Sequence, residues 1–413
     1  MEYFNQTSSD YYYYLENDNN NYKIKLEILT FYETVIGEII KDIPTTAQGQ
    51  ININYQQITR RSCSLSLINV DKQYTPNQNR WFWINRKFKL WVGVELSATR
   101  DTYWFSQGVF YTNNATCDGH LLNIEGVDKG ANLDGTLRTN MLDGNYVVEK
   151  GSTITNLVKN TLLLSDGVFP IDPIPPLIDT KFNRAKIQTD ITINDGEYIG
   201  KLFTDIGDSY GTDVFYDTEG RLNLINSVEN NSIDGYLYMG SQYHFKDVNA
   251  NYSASSVQYS YDCVNAVTVF TNISAKDNDG NNIENVSYTA YNTNPLSPLN
   301  IKAIGIRRMD SVEVAYIDNL SPQKMKQRCK EYAEYLLKRK SLQQLSISFN
   351  SIVVPHLDVN HVITIADELK ELNSEKFIIQ SITIPLSAGE MNIQAASVTS
   401  MPKFTKIGNE VRA

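Results

Sequence analysis

Catalysis and metal binding need a few side-chain types at set spacings, and such spacings are scarce in these 413 residues. The histidines are His120, His244, His356 and His361. His356 and His361 fall in PHLDVNH, which reads as a strand-to-strand loop and not as a helix presenting one face. Neither HExxH nor a carboxylate at ligand spacing accompanies them, so they read as incidental loop residues and no metal is expected. There is no GxSxG, and no cysteine stands in a recognisable protease setting. GxxxxGK[ST] and a strand-to-helix GxGxxG are missing too, so no nucleotide cofactor is expected. Asp and Glu total 47, so some pair of carboxylates always looks plausible, and solvated surface acids are the favoured reading. Cys63, Cys117, Cys263 and Cys329 are far apart, form no CxxC and suit reduced, buried thiols. The residue types therefore assign no catalytic, cofactor-binding or metal-binding residue.

What remains is chemistry of recognition. A helix expected over 322–340 carries Lys324, Lys326, Arg328, Lys330, Lys338, Arg339 and Lys340 against Glu331 and Glu334. This is either a solvated face whose last basic residues complement the helix dipole, or a surface that docks on an acidic partner subunit. The second cluster is aromatic. All four tryptophans (Trp81, Trp83, Trp91, Trp104) lie between Arg80 and Thr112. Core packing accounts for most of them, and Trp91, on the polar side of its strand, is the best candidate for an interface anchor.

The elements that hold these residues are mostly strands. Phe88, Leu90, Val92, Val94 and Leu96 alternate with Lys89, Trp91, Gly93 and Glu95, which is the period of a half-buried strand. Asn85-Arg86 can supply a turn before it. A two-residue loop would face Trp83 to Phe88 and Trp81 to Leu90, whereas a three-residue loop would reverse that parity. The loop Ser97–Thr102 should lead into a further strand, Tyr103–Tyr111. KIKLEIL, ININ, SCSLSLINV and Leu121–Glu125 alternate as well, giving about six or seven short strands. After Asp128 the chain turns Gly/Asn/Asp-rich. Ser152 or Thr153 can cap a helix bearing Ile154, Leu157, Val158 and Leu162, and Asp195 one bearing Ile199, Leu202, Phe203 and Ile206. DVFYDTEGRLNLI reads as a hairpin. Strands are expected again at Val257–Phe270, Asn285–Tyr291, Leu345–Phe349, Val362–Ile365, Lys376–Leu386 and Met391–Val398. Among them stands the helix capped by Ser321 and opened by Pro322. The fold class expected is mainly β: two small antiparallel β-barrel domains, an intervening α+β module and one prominent C-terminal helix. The boundaries expected are a polar arm over 1–22, a first barrel over 23–135, the module over 136–242, a second barrel over 243–400 and a tail over 401–413. The Tyr/Asn-rich arm has too few aliphatic residues for a core, so it is expected to order only against another subunit.

The net charge of −10 with no basic domain argues against nucleic-acid binding through counterion release. No apolar run approaches the length of a membrane span, and MEYFNQTSSD lacks the features of a signal peptide. A membrane anchor is not expected, and folding in a cytoplasm is.

Three passages carry a resemblance. YWFSQGVFYT runs on to HLLNIEGVDKGANLDG. EYIGKLFTDIGDSYGTDVFYDTEGRLNLI looks like a helix plus hairpin. VVPHLDVNHVITIAD is followed by KFIIQSITIPLSAGEMNIQA. Their order, over about residues 23–400, resembles the central hub proteins of phage tail tips and baseplates, including those of tail-like bacteriocins. One departure is Asn360-His361, where that family often has Gly-Asp. The resemblance implies a homotrimer whose two barrels per chain form a pseudo-six-fold ring. It implies partners in the tail tube protein, the spike protein and other baseplate proteins, and a place in the virion. DNA would cross the ring without specific binding, past a wall expected to be acidic. Two other classes compete: a tail-associated cell-wall hydrolase or peptidase, and a carbohydrate-binding β-protein.

Overall fold

The computed structural model of the chain is mainly β. It describes residues 11–12, 15, 21–43, 45–55, 58–95, 101–137, 142, 144–164, 170–187, 190–210, 212–226, 241–246, 252–259, 264–271, 286–295, 297, 299–304, 309–313, 322–341, 345–387 and 389–398.

Seven strands come first: β1 (Asn21–Leu29), β2 (Val35–Ile43), β3 (Ala47–Asn54), β4 (Arg61–Ile68), β5 (Lys87–Glu95), β6 (Thr102–Asp118) and β7 (Leu121–Asp128). Alternation decides their faces. Along β1 and β5 the pairs Ile24–Val92, Leu26–Leu90 and Ile28–Phe88 meet in register, all at most 1% exposed. Each such side chain contributes about 1.5–3 kcal/mol by leaving water.

The segment before β5 differs from the expected hairpin. Arg80–Phe82 forms a 3-10 turn, with the Asn79 side chain accepting from the Trp81 N–H. Phe82, 1% exposed, enters the core beside Phe88, whereas Trp83 is 51% exposed. Trp81 stacks on Tyr74 and covers Gly37, where a Cβ would come 2.5 Å from its ring. The physical reason is competition for the edge of β5. The nine residues of β1 supply a longer apolar ladder than Trp81–Trp83 can. Asn85 does turn the chain, at φ 58°.

The middle of the chain builds a smaller α+β unit from β8 (Tyr146–Val148), α1 (Ile154–Leu162), β9 (Leu177–Ile178), β10 (Ile191–Ile193), α2 (Gly200–Tyr210), β11 (Thr212–Tyr216) and β12 (Leu222–Asn226). Thr153 caps α1, its side chain accepting from the Asn156 N–H. Asp195 does not cap α2. It accepts from the Gly144 N–H instead, and the helix starts at Gly200, too far along to be reached. Ile154, Leu157, Val158, Ile199, Leu202, Phe203 and Ile206 share one core. The β11–β12 hairpin closes through Gly220 at φ 76°.

The last part holds β13 (His244–Lys246), β14 (Tyr252–Tyr259), β15 (Ala266–Phe270), β16 (Ser287–Tyr291), α3 (Ile301–Ile304), β17 (Met309–Glu313), α4 (Pro322–Ser341), β18 (Leu345–Ser351), β19 (Val362–Asp367), β20 (Leu372–Pro385) and β21 (Met391–Ser397). Val257–Phe270 is not one strand. Its first residues belong to β14 in the large sheet, and its last form β15, in a three-stranded sheet with β16 and β17. On that sheet α4 lays Met325, Cys329, Ala333 and Leu336, against Val267, Val269 and Ala290. Ser321 lies outside the described residues, as do Leu96, most of the Ser97–Thr102 loop, Cys263 and residues 401–413.

The two β regions join. A 13-stranded sheet runs β14-β18-β21-β20-β3-β4-β7-β6-β5-β1-β2, with β19 and β13 branching from β20. The long strand β20 makes the join: its first half pairs with β19, and Ser381–Pro385 pairs with β3. One core follows, in which Ile51 and Ile53 pack with Ile382, Ile393 and Phe349. The leader also enters it. Tyr11 is fully buried and Leu15 is 2% exposed, so these two residues pack within their own chain. Two large side chains suffice for this, without an aliphatic repeat.

Candidate functional site

Trp91 stands half-buried on the outward face of β5. Its indole N–H donates to Glu27 Oε2 at 2.9 Å. The ammonium groups of Lys89 and Lys25 lie 4.3 and 4.6 Å from its ring centroid, contacts worth about 0.5–1 kcal/mol each at such sites. Lys89 also reaches Glu219 at 2.6 Å, and Ser106 donates to Thr218 O at 2.7 Å. Both partners lie in the β11–β12 turn, so Trp91 borders the place where the middle unit docks. Gly93 lets Trp104 lie across the same face, because a Cβ there would come 2.7 Å from its ring.

The basic residues of α4 stand on a different unit. Lys324, Lys326 and Lys338 are exposed, and Arg328, Lys330 and Lys340 are half-buried; the Arg339 side chain lies outside the described residues. Lys340 pairs with Asp310 on β17, and burial lowers its pKa. Cys63 and Cys329 are buried and free, while Cys117 is free but exposed, at the outer end of the long β6 where its hairpin with β7 leaves the core.

Two buried charge clusters were not singled out by spacing. In the first, Lys129 Nζ, 1% exposed, donates to Glu33 at 2.6 Å, Asp172 at 2.8 Å and Gly220 O at 2.7 Å. Lys87 adds bonds to Glu33 at 2.9 Å and to Phe31 O at 2.7 Å. Burial lowers the Lys87 pKa, and Lys129 beside it adds to the effect. Segments distant in sequence are thereby tied at one point. The second cluster ties β4 to the β18–β19 loop. Arg61 donates to Asp358, and Asp128 accepts from the N–H groups of Arg61 and Gly130, each at 2.8 Å. Burial pushes Asp128 up to about 7, against the pull of those N–H donors and of the Arg61 charge. Burial also works to raise Asp358, but the Arg61 and His361 charges hold its carboxyl below the usual value. Arg61 had a visible signal: it shares the inward parity of Cys63, Leu65 and Leu67. Lys129 had none, since its partners are set by the fold.

His356 and His361 lie in a loop as expected, but they are not idle. The Tyr11 hydroxyl donates to His356 Nδ1 at 3.1 Å, and Nε2–H points to Gln242 O at 3.3 Å. That pairing requires the neutral ring, and burial pushes its pKa down to about 4. The ring also lies against Tyr12, Phe105 and Tyr243. Asn360 takes φ 64°, the left-handed turn that glycine would otherwise serve. Among the described residues no three His, Cys, Asp or Glu side chains gather as a metal site, and no helix is long and apolar enough to cross a membrane.

A cleft of about 680 Å³ opens over the seam of β4, β3 and β20, with Asn52, Asn54, Ser62, Ser381 and Thr383 on its floor and Arg60, Asp134 and Thr136 at its side. The Arg60 guanidinium stacks 3.7 Å from the Phe215 ring centroid. At its side the Thr59 hydroxyl donates to the Asp134 carboxylate.

No protein-family model and no curated protein matches the chain. Solved structures do. A 43 kDa tail protein of prophage MuSo2 from Shewanella oneidensis superposes with a TM-score of 0.55 at 14% identity, over 92% of this chain and 100% of that one. A tail protein from Neisseria meningitidis MC58 gives 0.55 at 11% identity, over 91% and 96%. A chain of the Francisella PdpA–VgrG complex gives 0.52 at 10% identity, over 95% and 60%. The fold is that of phage tail proteins, the group to which the sequence motifs pointed.

Proposed function

We propose that this chain, with the fold of phage tail proteins, is the structural hub of a baseplate or tail tip in a phage or tail-like particle. Three copies form a pseudo-six-fold ring that joins a hexameric tail tube to a three-fold spike. The observation that carries the reading is the β20–β3 seam. It fuses two β regions, far apart in sequence, into one sheet with one core. A chain built this way presents two sheet-built lobes as one rigid piece, and three such pieces offer six lobes. The expected domains (23–135, 136–242 and 243–400, flanked by 1–22 and 401–413) supply these lobes and the module between them.

The likeness to a chain of a complex that contains VgrG supports spike and baseplate proteins as partners. Trp91 and the basic residues of α4 are the surfaces offered to them: an ordered aromatic on a rigid strand, and a cationic helix in a chain of net charge −10. DNA crosses the ring without specific binding. The protein is made in the host bacterial cytoplasm and ends in the virion.

The test is mass measurement of the purified protein, alone and mixed with its tube and spike neighbours. Trimers or ternary complexes are expected, and a monomer that binds neither neighbour would refute the hub. A zymogram on bacterial cell walls should show no lysis band. Glycan binding by the isolated monomer would favour a carbohydrate-binding protein instead.

A further inference from the structure

Strand β2 ends the 13-stranded sheet, and among the described residues it pairs only with β1. Its other edge presents a row of backbone N–H and C=O groups. Proteins blunt such edges with bulges, lysines or proline, because any extended chain can pair there. The far end of the sheet is blunted: the register of β14 breaks between Ser253 and Ser256, with Ala254 at φ 46°. Strand β2 lacks these devices along most of its length. From Gly37 to Ile43 it pairs residue for residue with β1 and holds no proline. Its one lysine, Lys41, stands opposite the buried Ile24 with its ammonium over the Tyr74 ring.

The side chains of this strand are patterned. Gly37, Ile39 and Lys41 oppose the buried Ile28, Leu26 and Ile24. The residues that alternate with them, Ile36, Glu38, Ile40 and Asp42, are all exposed. The outer face therefore reads apolar, acidic, apolar, acidic. Asp42 has Lys23 at 3.9 Å. Glu38 stands directly opposite Glu27, whose carboxylate already takes Lys25 and the Trp91 N–H. Like charges that face each other across a ladder destabilise it, and a basic residue on the open side of Glu38 would offset that cost. Where β2 begins, Tyr32, Val35, Trp83 and Ile84 are each more than half exposed. They share one end of the sheet, because Leu29 pairs with both Val35 and Lys87. An exposed apolar group of this kind, with a tryptophan in it, marks a contact site.

We infer that β2 is a strand-addition edge, along which a partner protein lays an extended segment of alternating basic and apolar residues. Main-chain hydrogen bonds supply the affinity and the alternating side chains supply the selectivity. A second copy of this chain does not offer such a segment. Of the other described strands that end a sheet, only the three-residue β13 carries a lysine or arginine, Lys246. The occupant is therefore a different protein, and the contact is separate from those among copies in a ring.

The probe is a synthetic peptide of alternating lysine and valine, as long as β2, and the control holds the same residues as a lysine block followed by a valine block. With the whole chain, the alternating peptide should bind and should slow hydrogen exchange at alternate amides of β2, those that do not bond to β1. The block peptide, equal in charge, should bind more weakly and give no such protection. Glu38→Gln should weaken the alternating peptide about two- to fivefold, the worth of one cross-strand charge pair. The same variant should raise the melting temperature of the protein alone, since it removes the charge that faces Glu27. Ile40→Thr, which keeps strand propensity, should weaken binding without loss of folding. Equal binding of both peptides, protection elsewhere than β2, or unchanged binding by Glu38→Gln would overturn the inference. So would β2 amides that are all protected in the protein alone, because the chain would then cover its own edge. None of these outcomes alters the mass measurement, so the ring stands or falls separately.

Discussion

Lys129 is a buried charge with three partners. If the ammonium goes, Asp172 is left buried without that charge, while Glu33 keeps Lys87, so Lys129→Met should cost about 3–5 kcal/mol in urea unfolding. Adding Asp172→Asn to Lys129→Met should recover part of that loss; simple addition of the two penalties would mean the groups do not interact. His356 controls a pH window. Its folded pKa of about 4 lies below the ordinary value of 6.5, so its contribution is complete above pH 6.5 and is lost as pH falls toward 4. The unfolded chain takes the proton that the folded chain refuses, a difference of about 3 kcal/mol. His356→Gln should therefore flatten the fall in melting temperature between pH 6.5 and 4, leaving the share due to His361, which burial also lowers. Trp91→Ala should lower stability by about 1–2 kcal/mol through its two cation–π contacts, while impairing ring assembly more. Loss of folding with no separate assembly defect would place Trp91 in the core alone.

At the scale of elements, β20 carries the greatest consequence. Thr383 pairs with Asn392 on one side and Asn52 on the other, so Thr383→Pro removes a ladder hydrogen bond in mid-sheet. A loss of about 3 kcal/mol or more is expected. If the seam is rigid, hydrogen exchange of the Ile53 and Ile382 amides should slow together and accelerate together in that variant. The helices α1 and α4 were legible because their apolar positions repeat at helical spacing and their packing is local. The 3-10 turn at Arg80–Phe82 was not, because three aromatic residues in a row satisfy strand parity as well. What chose between them was β1, a competitor at the other end of the domain.

At the scale of the molecule, strand order decides what the chain can be. Alternation shows that β3 and β20 each have one buried face, but no local feature says that they lie side by side. Their pairing spans more than three hundred positions and rests on both edges being open. The same pairing aligns Asn52 with Thr383 and Asn54 with Ser381, which turns scattered Asn and Ser residues into continuous rows.

The sequence by itself determined the mainly β class, the inward faces of the strands, the helical core positions and the tail-protein likeness, because each depends on short-range periodicity or on local order along the chain. Only the tertiary structure decided which strands are neighbours, that Tyr11 and Leu15 close their own core, and that Lys129 and Arg61 become buried ties. Those outcomes depend on which distant edges and charges meet. That meeting is settled by competition among whole elements for the same partner, and no spacing within one element records it.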